Sequence, residues 1–234
     1  RLIAIADSFS GGHHETFLKA SVAAALKEGF DVWLLSPDPG ALIQDMGSPE
    51  GLVGFPWKEV PGQKPAMKGM GFITTMERWK RAAEVVGNAA SVHGRKPDLV
   101  FFNWLDAMLS HGIGQQGLAS VFPWKFGGIY FQPPDLKPKR FHRIRRGLLN
   151  KEYLLHARHC VGVTMLDENS AKNVQKRLGK PADPLPDFAD LVEPDLNDPV
   201  VVALRKKAKG RTVVGLYGSM ERRKGLVALL EVAE

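Results

Sequence analysis

Short apolar runs rich in Val, Ile, Leu and Phe alternate along this chain with segments of helical period. That alternation leaves few folds open. Leu2 to Ala6 reads as a strand. After the loop Asp7 to Gly12, a helix runs from about His14 to Glu28, with Leu18, Val22, Ala25 and Leu26 on its buried stripe and Gly29 at its end. Asp31 to Ser36 is a second strand. Residues 37 to 72 are rich in Gly and Pro and offer one strand near Val53 to Val60. A long helix from Ile73 to about Val92 aligns Met76, Trp79, Ala83, Val86 and Ala90 on one face. Strands follow at Asp98 to Asn103, Gly127 to Gln132 and Cys160 to Met165, with helices at Lys139 to Arg158 and Glu168 to Leu178 and an extended piece at Ala182 to Asp187. Strands that alternate with helices pair in parallel and carry helices on both faces, so the class is α/β.

The composition agrees. The 234 residues are 44% hydrophobic and 24% charged, a globular balance. No window approaches the ~20 consecutive apolar residues of a membrane-spanning helix, and no signal peptide is legible. The chain opens at Arg1 without an initiator Met, so a clipped N-terminus is expected. The single cysteine, Cys160, excludes an internal disulfide, fits a reducing and hence cytoplasmic compartment, and reads as a small buried hydrophobe.

The net charge of +7 is local. Between Leu136 and Lys151 lie seven basic residues (Lys137, Lys139, Arg140, Arg143, Arg145, Arg146 and Lys151) and no acid. In a helix over that stretch, Phe141, Ile144, Leu148 and Leu155 fall within a stripe roughly 60° wide, with Lys139, Arg143 and Arg146 opposite. A solvated surface helix is the simplest reading. The functional one is contact with anionic lipid headgroups or a lipid-phosphate acceptor, peripheral at the cytoplasmic membrane face. Nucleic acid is disfavoured, because no nucleic-acid-binding motif flanks the helix.

Two strand–turn–helix sites could bind a ligand. The first is the loop from Ser8 to Glu15, with Gly11, Gly12 and His13 at its centre. Paired glycines let a backbone approach a ligand closely, although an ordinary glycine turn, capped by Ser10 or a neighbour, fits equally. The loop is not GxGxxG, so no nicotinamide cofactor is indicated, and no cofactor of any kind is expected. His13 and His14 are adjacent and cannot share one helix face as two ligands of one metal, so no metal site is expected. The second is Gly215 to Gly225, where Arg222, Arg223 and Lys224 gather at a helix start that already favours anions. A diphosphate suits that turn: arginine forks it and lysine adds a mobile charge.

These residues resemble a known family. Gly11-Gly12 leading into a helix, then Gly29-Phe30-Asp31-Val32, then Leu185-Pro186-Asp187-Phe188-Ala189-Asp190, then Gly218-Ser219 with Arg223-Lys224-Gly225, are similar in order and spacing to the signatures of the GT-B glycosyltransferases of family four. The resemblance spans nearly the whole chain. It implies two Rossmann-like domains facing across a cleft, and retaining, metal-independent transfer of a hexosyl group from a nucleotide sugar to a hydroxyl on a glycan, a lipid-linked or a small-molecule acceptor. It implies donor diphosphate binding at Gly218, Ser219, Arg223 and Lys224, and an acceptor cleft around Gly11, Gly12, His13 and Asn103; Gln132, which follows a strand end, is a further candidate for hydrogen bonds to an acceptor. Where many members carry a histidine near the donor sugar this chain reads Asn103-Trp104-Leu105-Asp106; either Asp106 or Asn103 takes that polar role, with Asp106 the candidate catalytic residue, or the role is missing here. Trp57, Trp79, Trp104 and Trp124 read as packing, Trp104 being the one set near the cleft.

The domains expected are an acceptor-side Rossmann-like domain over residues 1–187, a linker and connecting helix over 188–210, and the start of a donor-binding domain over 211–234 that opens with a strand at Thr212. The family's paired glutamates would lie beyond Glu234. The piece alone is then expected to be inactive, because most of the donor pocket is missing. A sugar-nucleotide epimerase on the same scaffold, and a non-catalytic module that binds membrane or nucleic acid through residues 137–151, stay open as alternatives.

Overall fold

The computed structural model describes residues 1–9, 11–58, 71–109, 121–131, 151–185 and 195–213, and the single positions 227 and 231. The chain divides into two compact units, Arg1–Phe188 and Ala189–Glu234. Among the described residues there are seven strands and five α-helices.

In the first unit, β1 (Leu2–Ala6), α1 (His13–Lys27), β2 (Asp31–Ser36), α2 (Pro39–Asp45), β3 (Leu52–Pro56), α3 (Gly71–His93), β4 (Leu99–Phe102), β5 (Phe126–Ile129), β6 (Cys160–Met165), α4 (Glu168–Leu178) and β7 (Ala182–Pro184) follow in that order. All seven strands form one parallel sheet in the order β3-β2-β1-β4-β5-β6-β7. The chain winds outward from β1 to β3, returns past β1 to β4, and then winds outward the other way. Right-handed crossovers therefore put α1 and α2 on one face and α3 and α4 on the other.

The period-2 alternation of the strands supplies both cores. In β2, Trp33 and Leu35 point to the larger core, with Ala4, Ala6, Phe102, Phe126 and Met165. Val32 and Leu34 point to the smaller one, with Ile5, Leu18, Val22 and Leu42. Trp79 centres the large core. It is fully buried and meets Phe102, Phe122 and Phe126 edge-on, at centroid distances of 5.0, 4.9 and 5.0 Å. Its indole Nε1–H donates to Met108 O at 2.8 Å. Trp57 is buried in the same core and Trp124 packs partly buried against it.

Gly128 in β5 has a requirement no other residue meets. A Cβ there would sit 2.1 Å from Phe102 O in the neighbouring strand. Gly128→Ala forces β4 and β5 apart and is expected to cost about 3 kcal/mol, the upper part of the overpacking range. Urea denaturation of the two proteins measures it.

Two expectations need correction. The Gly/Pro-rich stretch hides α2, whose start is set by Pro39 in the first turn and by Asp38, whose Oδ1 accepts the Ala41 N–H at 3.1 Å. The basic helix does not run to Arg158. Residues 132–150, with Lys139, Arg143 and Arg146, lie outside the described residues, and the tail Lys151–His156 is a 3-10 turn. That turn is pinned by its own side chains. Leu154 and Leu155 are both fully buried, and the buried Glu152 accepts a fork from Arg177 and, at 3.0 Å, the Tyr130 hydroxyl. Burial, with the Glu152 carboxylate beside it, pushes the Tyr130 phenol well above its ordinary range, so it stays a donor. The strand expected from Thr212 to Gly218 lies, from residue 214 on, outside the described residues.

Cys160 is buried at the start of β6, and that burial raises its thiol above the usual value, as suits a packing residue. In the second unit, α5 (Pro199–Ala208) is capped by Asp198, whose Oδ1 accepts the Val200 N–H at 2.7 Å, and ends at Lys209 in a left-handed conformation. Among the described residues no helix is long and apolar enough to cross a membrane.

Candidate functional site

The winding direction reverses between β1 and β4. In open parallel sheets such a switch point leaves a crevice outside the carboxyl ends of the strands, where ligands bind. The register pairs Ala6 with Phe102, so the next residues, Asp7 and Asn103, come side by side. Asp7 N–H continues the ladder to Leu35 O, and Asn103 N–H to Ala6 O, both at 2.9 Å.

Asp7 is buried, and every hydrogen bond the structure gives its carboxylate comes from a donor. Oδ1 accepts the Phe9 N–H at 3.0 Å. Oδ2 accepts from Asn103 Nδ2 at 2.9 Å and lies 3.0 Å from His14 Nδ1. A carboxylate only accepts, so the proton of that last contact sits on Nδ1. In the neutral ring the other nitrogen, Nε2, on the far edge of the imidazole, is then the acceptor. The His14 ring lies between Phe9 (centroids 4.9 Å apart) and Trp104 (4.3 Å), and its side chain is 22% exposed. Trp104 stacks in turn on Phe131 at 4.1 Å, and Phe131 meets Phe17 edge-on at 5.2 Å. The imidazole is thus held in plane by rings and in tautomer by Asp7.

The loop between β1 and α1 makes this placement. Gly11 and Gly12 have φ of 81° and 54°, left-handed values that favour glycine. Gly11 N–H donates to Glu15 Oε1 at 2.8 Å, tying the loop to the first helical turn. Arg78 of α3 reaches the β1–α1 loop from the other core. Its Nη1 donates to Ala107 O at 2.9 Å, and its guanidinium lies 5.6 Å from the centre of the Phe9 ring.

The Gly11–Gly12 loop and Asn103 stand at the same carboxyl edge of the sheet, the two glycines exposed and Asn103 fully buried. Asp106 lies in the 3-10 turn Leu105–Met108 after β4, where its Oδ2 accepts the Phe131 N–H at 2.7 Å. His13 is exposed at the first position of α1, and it is His14 that turns inward. Gln132, Gly218, Ser219, Arg223 and Lys224 lie outside the described residues. Sequence reasoning missed Asp7 and the role of His14. The available signal was an acid directly after an apolar strand, followed seven positions on by a histidine in the next helix. Among the described residues no three His, Cys, Asp or Glu side chains gather as a metal site would.

No family model matches this sequence. No curated protein matches it either. Solved structures do. A Phytolacca americana apo UGT2 matches with a TM-score of 0.52 at 12% identity, over 95% of this chain and 59% of that one. Anabaena HepE, solved with UDP and glucose, matches with a TM-score of 0.51 at 13% identity, over 99% of this chain and 57% of that one. A UGT transferase from Siraitia grosvenorii, solved with UDP, gives 0.50 at 10% identity, over 95% and 60%. The chain spans less than two thirds of the length of these structures. At such identities the likeness is one of fold, and it agrees with the strand order and the switch point: the chain has the fold of a Rossmann-like half of the GT-B glycosyltransferases.

Proposed function

We propose that this protein transfers a glycosyl group from a nucleotide sugar to an acceptor hydroxyl, with His14 as the general base. The observation that carries the reading is the Asp7–His14 pair at the β1/β4 switch point, with Nδ1 facing the Asp7 carboxylate and Nε2 on the opposite edge of the ring. Attack of a hydroxyl on an anomeric carbon releases a proton as the new bond forms, and a bare imidazole nitrogen beside the crevice is suited to take it. Asp7 stabilises the imidazolium that results. Gly11 and Gly12 shape the mouth, Trp104 and Phe9 hold the base, and Asp106 fixes the backbone at Phe131 on the acceptor side.

The fold neighbours supply the donor class. HepE was solved with UDP and glucose, and the Phytolacca UGT2 with UDP-2fluoro-glucose and pterostilbene. By that likeness the donor here is a UDP-sugar and the acceptor a small molecule or glycan. The diphosphate goes to Gly218, Ser219, Arg223 and Lys224, where fixed positive charge would stabilise the leaving group without a metal. Lys224→Ala is expected to weaken UDP binding severalfold by calorimetry, and unchanged binding counts against that role. The acid-free basic stretch with Lys139, Arg143 and Arg146 suits an anionic acceptor or membrane surface.

Stereochemistry has two readings. The family-four resemblance implies retention. The His14 base favours inversion, because attack from the face opposite the leaving diphosphate puts that group out of reach of the acceptor proton. The test incubates the intact protein with UDP-hexoses and candidate acceptors, follows UDP release, and reads the product anomer by NMR. Transfer that His14→Gln leaves unchanged, or the absence of transfer from any UDP-hexose, sinks the proposal.

A further inference from the structure

Asn103 is fully buried, and its bonds form a relay. Its Nδ2 donates to Asp7 Oδ2 at 2.9 Å and to His14 O at 3.3 Å. Its Oδ1 accepts the Ser21 hydroxyl at 3.3 Å. The amide orientation follows from chemistry. Flipped, Oδ1 would face a carboxylate oxygen and a carbonyl oxygen, and both contacts would be repulsive. One side chain at the end of β4 therefore grips both members of the pair: the carboxylate by the oxygen that holds His14 Nδ1, and the backbone of His14 itself.

The consequence is geometric. Asp7 Oδ1 is held by the Phe9 N–H. Without a second donor on Oδ2 the carboxylate could turn about its Cβ–Cγ bond and offer His14 a poorly aligned lone pair. The Asn103 amide blocks that turn from within the sheet. The competing arrangement, a bare Nδ1 facing Oδ2 with the ring proton on Nε2, sets two lone pairs against each other, and the carboxylate disfavours it for as long as that oxygen is held in place. Donation by Asn103 to Oδ2 makes that oxygen an acceptor of two N–H groups, and the second of them is Nδ1–H.

We propose that Asn103 is a positioning residue for this pair, holding the Asp7 carboxylate so that His14 keeps the single tautomer with Nδ1 protonated and Nε2 bare. The inference rests on the reading of His14 as a base but is tested apart from it. The readout is the imidazole nitrogen spectrum of the 15N-labelled protein, with the His14 signals identified by their loss in His14→Gln. In the neutral ring, wild type is expected to show one tautomer, with one nitrogen fully protonated and the other fully bare. Asn103→Leu keeps the shape and removes the donors; it is expected to give averaged nitrogen signals from mixed tautomers. In the transfer assay it should lower kcat roughly tenfold or more at an unchanged acceptor KM, because a wrong tautomer removes the base without removing the binding surface.

Asn103→Asp keeps both size and polarity and turns the donor into an acceptor; it should also abolish the wild-type nitrogen pattern, and it covers the case in which the leucine variant fails to fold. A wild-type pattern in either folded variant overturns the proposal, as does a mixed tautomer in the wild type. Released tautomers in a protein that transfers no sugar uphold the role of Asn103 and end the glycosyltransferase reading, so the two failures are distinguishable.

Discussion

Replacing His14 with alanine is expected to lower glycosyl transfer by about a hundredfold to ten-thousandfold, the range general-base catalysis contributes. At about 1.4 kcal/mol per decade, that is roughly 3–5 kcal/mol of barrier. The loss should fall on kcat. The ring's Nδ1 is tied to Asp7 and its faces to Phe9 and Trp104, so it has little left to bind substrate with in the ground state. Asp7→Asn should cost a similar amount by a different route. An amide has one oxygen where the carboxylate has two, yet the Phe9 N–H, the Asn103 amide and His14 Nδ1 all need an acceptor there. One of them must lose its bond, and an amide NH2 turned toward His14 would put the ring proton on Nε2, the wrong edge. Stopped-flow or coupled UDP-release kinetics on the intact protein measure both variants. Full activity in His14→Ala would leave the pair a structural feature only.

Trp79→Ala should have the largest effect on stability, about 3–5 kcal/mol, as for other fully buried aromatic truncations. The indole fills the centre of the large core, makes three edge-on ring contacts, and ties α3 to the 3-10 turn after β4 through Met108 O. That turn carries Asp106 and the carbonyl held by Arg78, so loosening it also loosens the ties to Phe131 N–H and to Arg78. In a domain of this size the melting temperature should fall by roughly 10 °C. Trp79→Phe, which keeps a ring in the core and loses the hydrogen bond, should cost less than half as much. Calorimetric unfolding separates these outcomes, and an equal loss in the two variants would assign the stabilisation to the hydrogen bond alone.

The large elements were legible because their signals are local. The apolar run Leu2 to Ala6 and the stripe through Leu18 and Val22 follow from period-2 and period-3.6 burial, and both stand in the structure within a residue or two of the expected bounds. The helix α2 was missed because its seven residues are too short for a period, and its start is written instead in Asp38 and Pro39. The 3-10 turn at Lys151–His156 was missed because the ties of Glu152 to Tyr130 and Arg177, 22 and 25 residues away, override local helical preference. The first glycine loop and Asn103 were legible as neighbours because loops after strands in a parallel sheet share one edge. Asp7 and His14 were not, since a lone acid and one of two adjacent histidines carry no spacing that marks a pair.

By itself the sequence determined the α/β class, the burial of Cys160 and the position of the first glycine loop, because each depends on the periodicity or chemistry of neighbouring residues. Only the tertiary structure decided which histidine turns inward and which acid meets it. The partnership of Asp7, Asn103 and His14 exists because β4 inserts beside β1 rather than at the sheet edge, bringing residues 96 positions apart within hydrogen-bond reach. Strand order is set by packing over the whole sheet, and no local pattern records it.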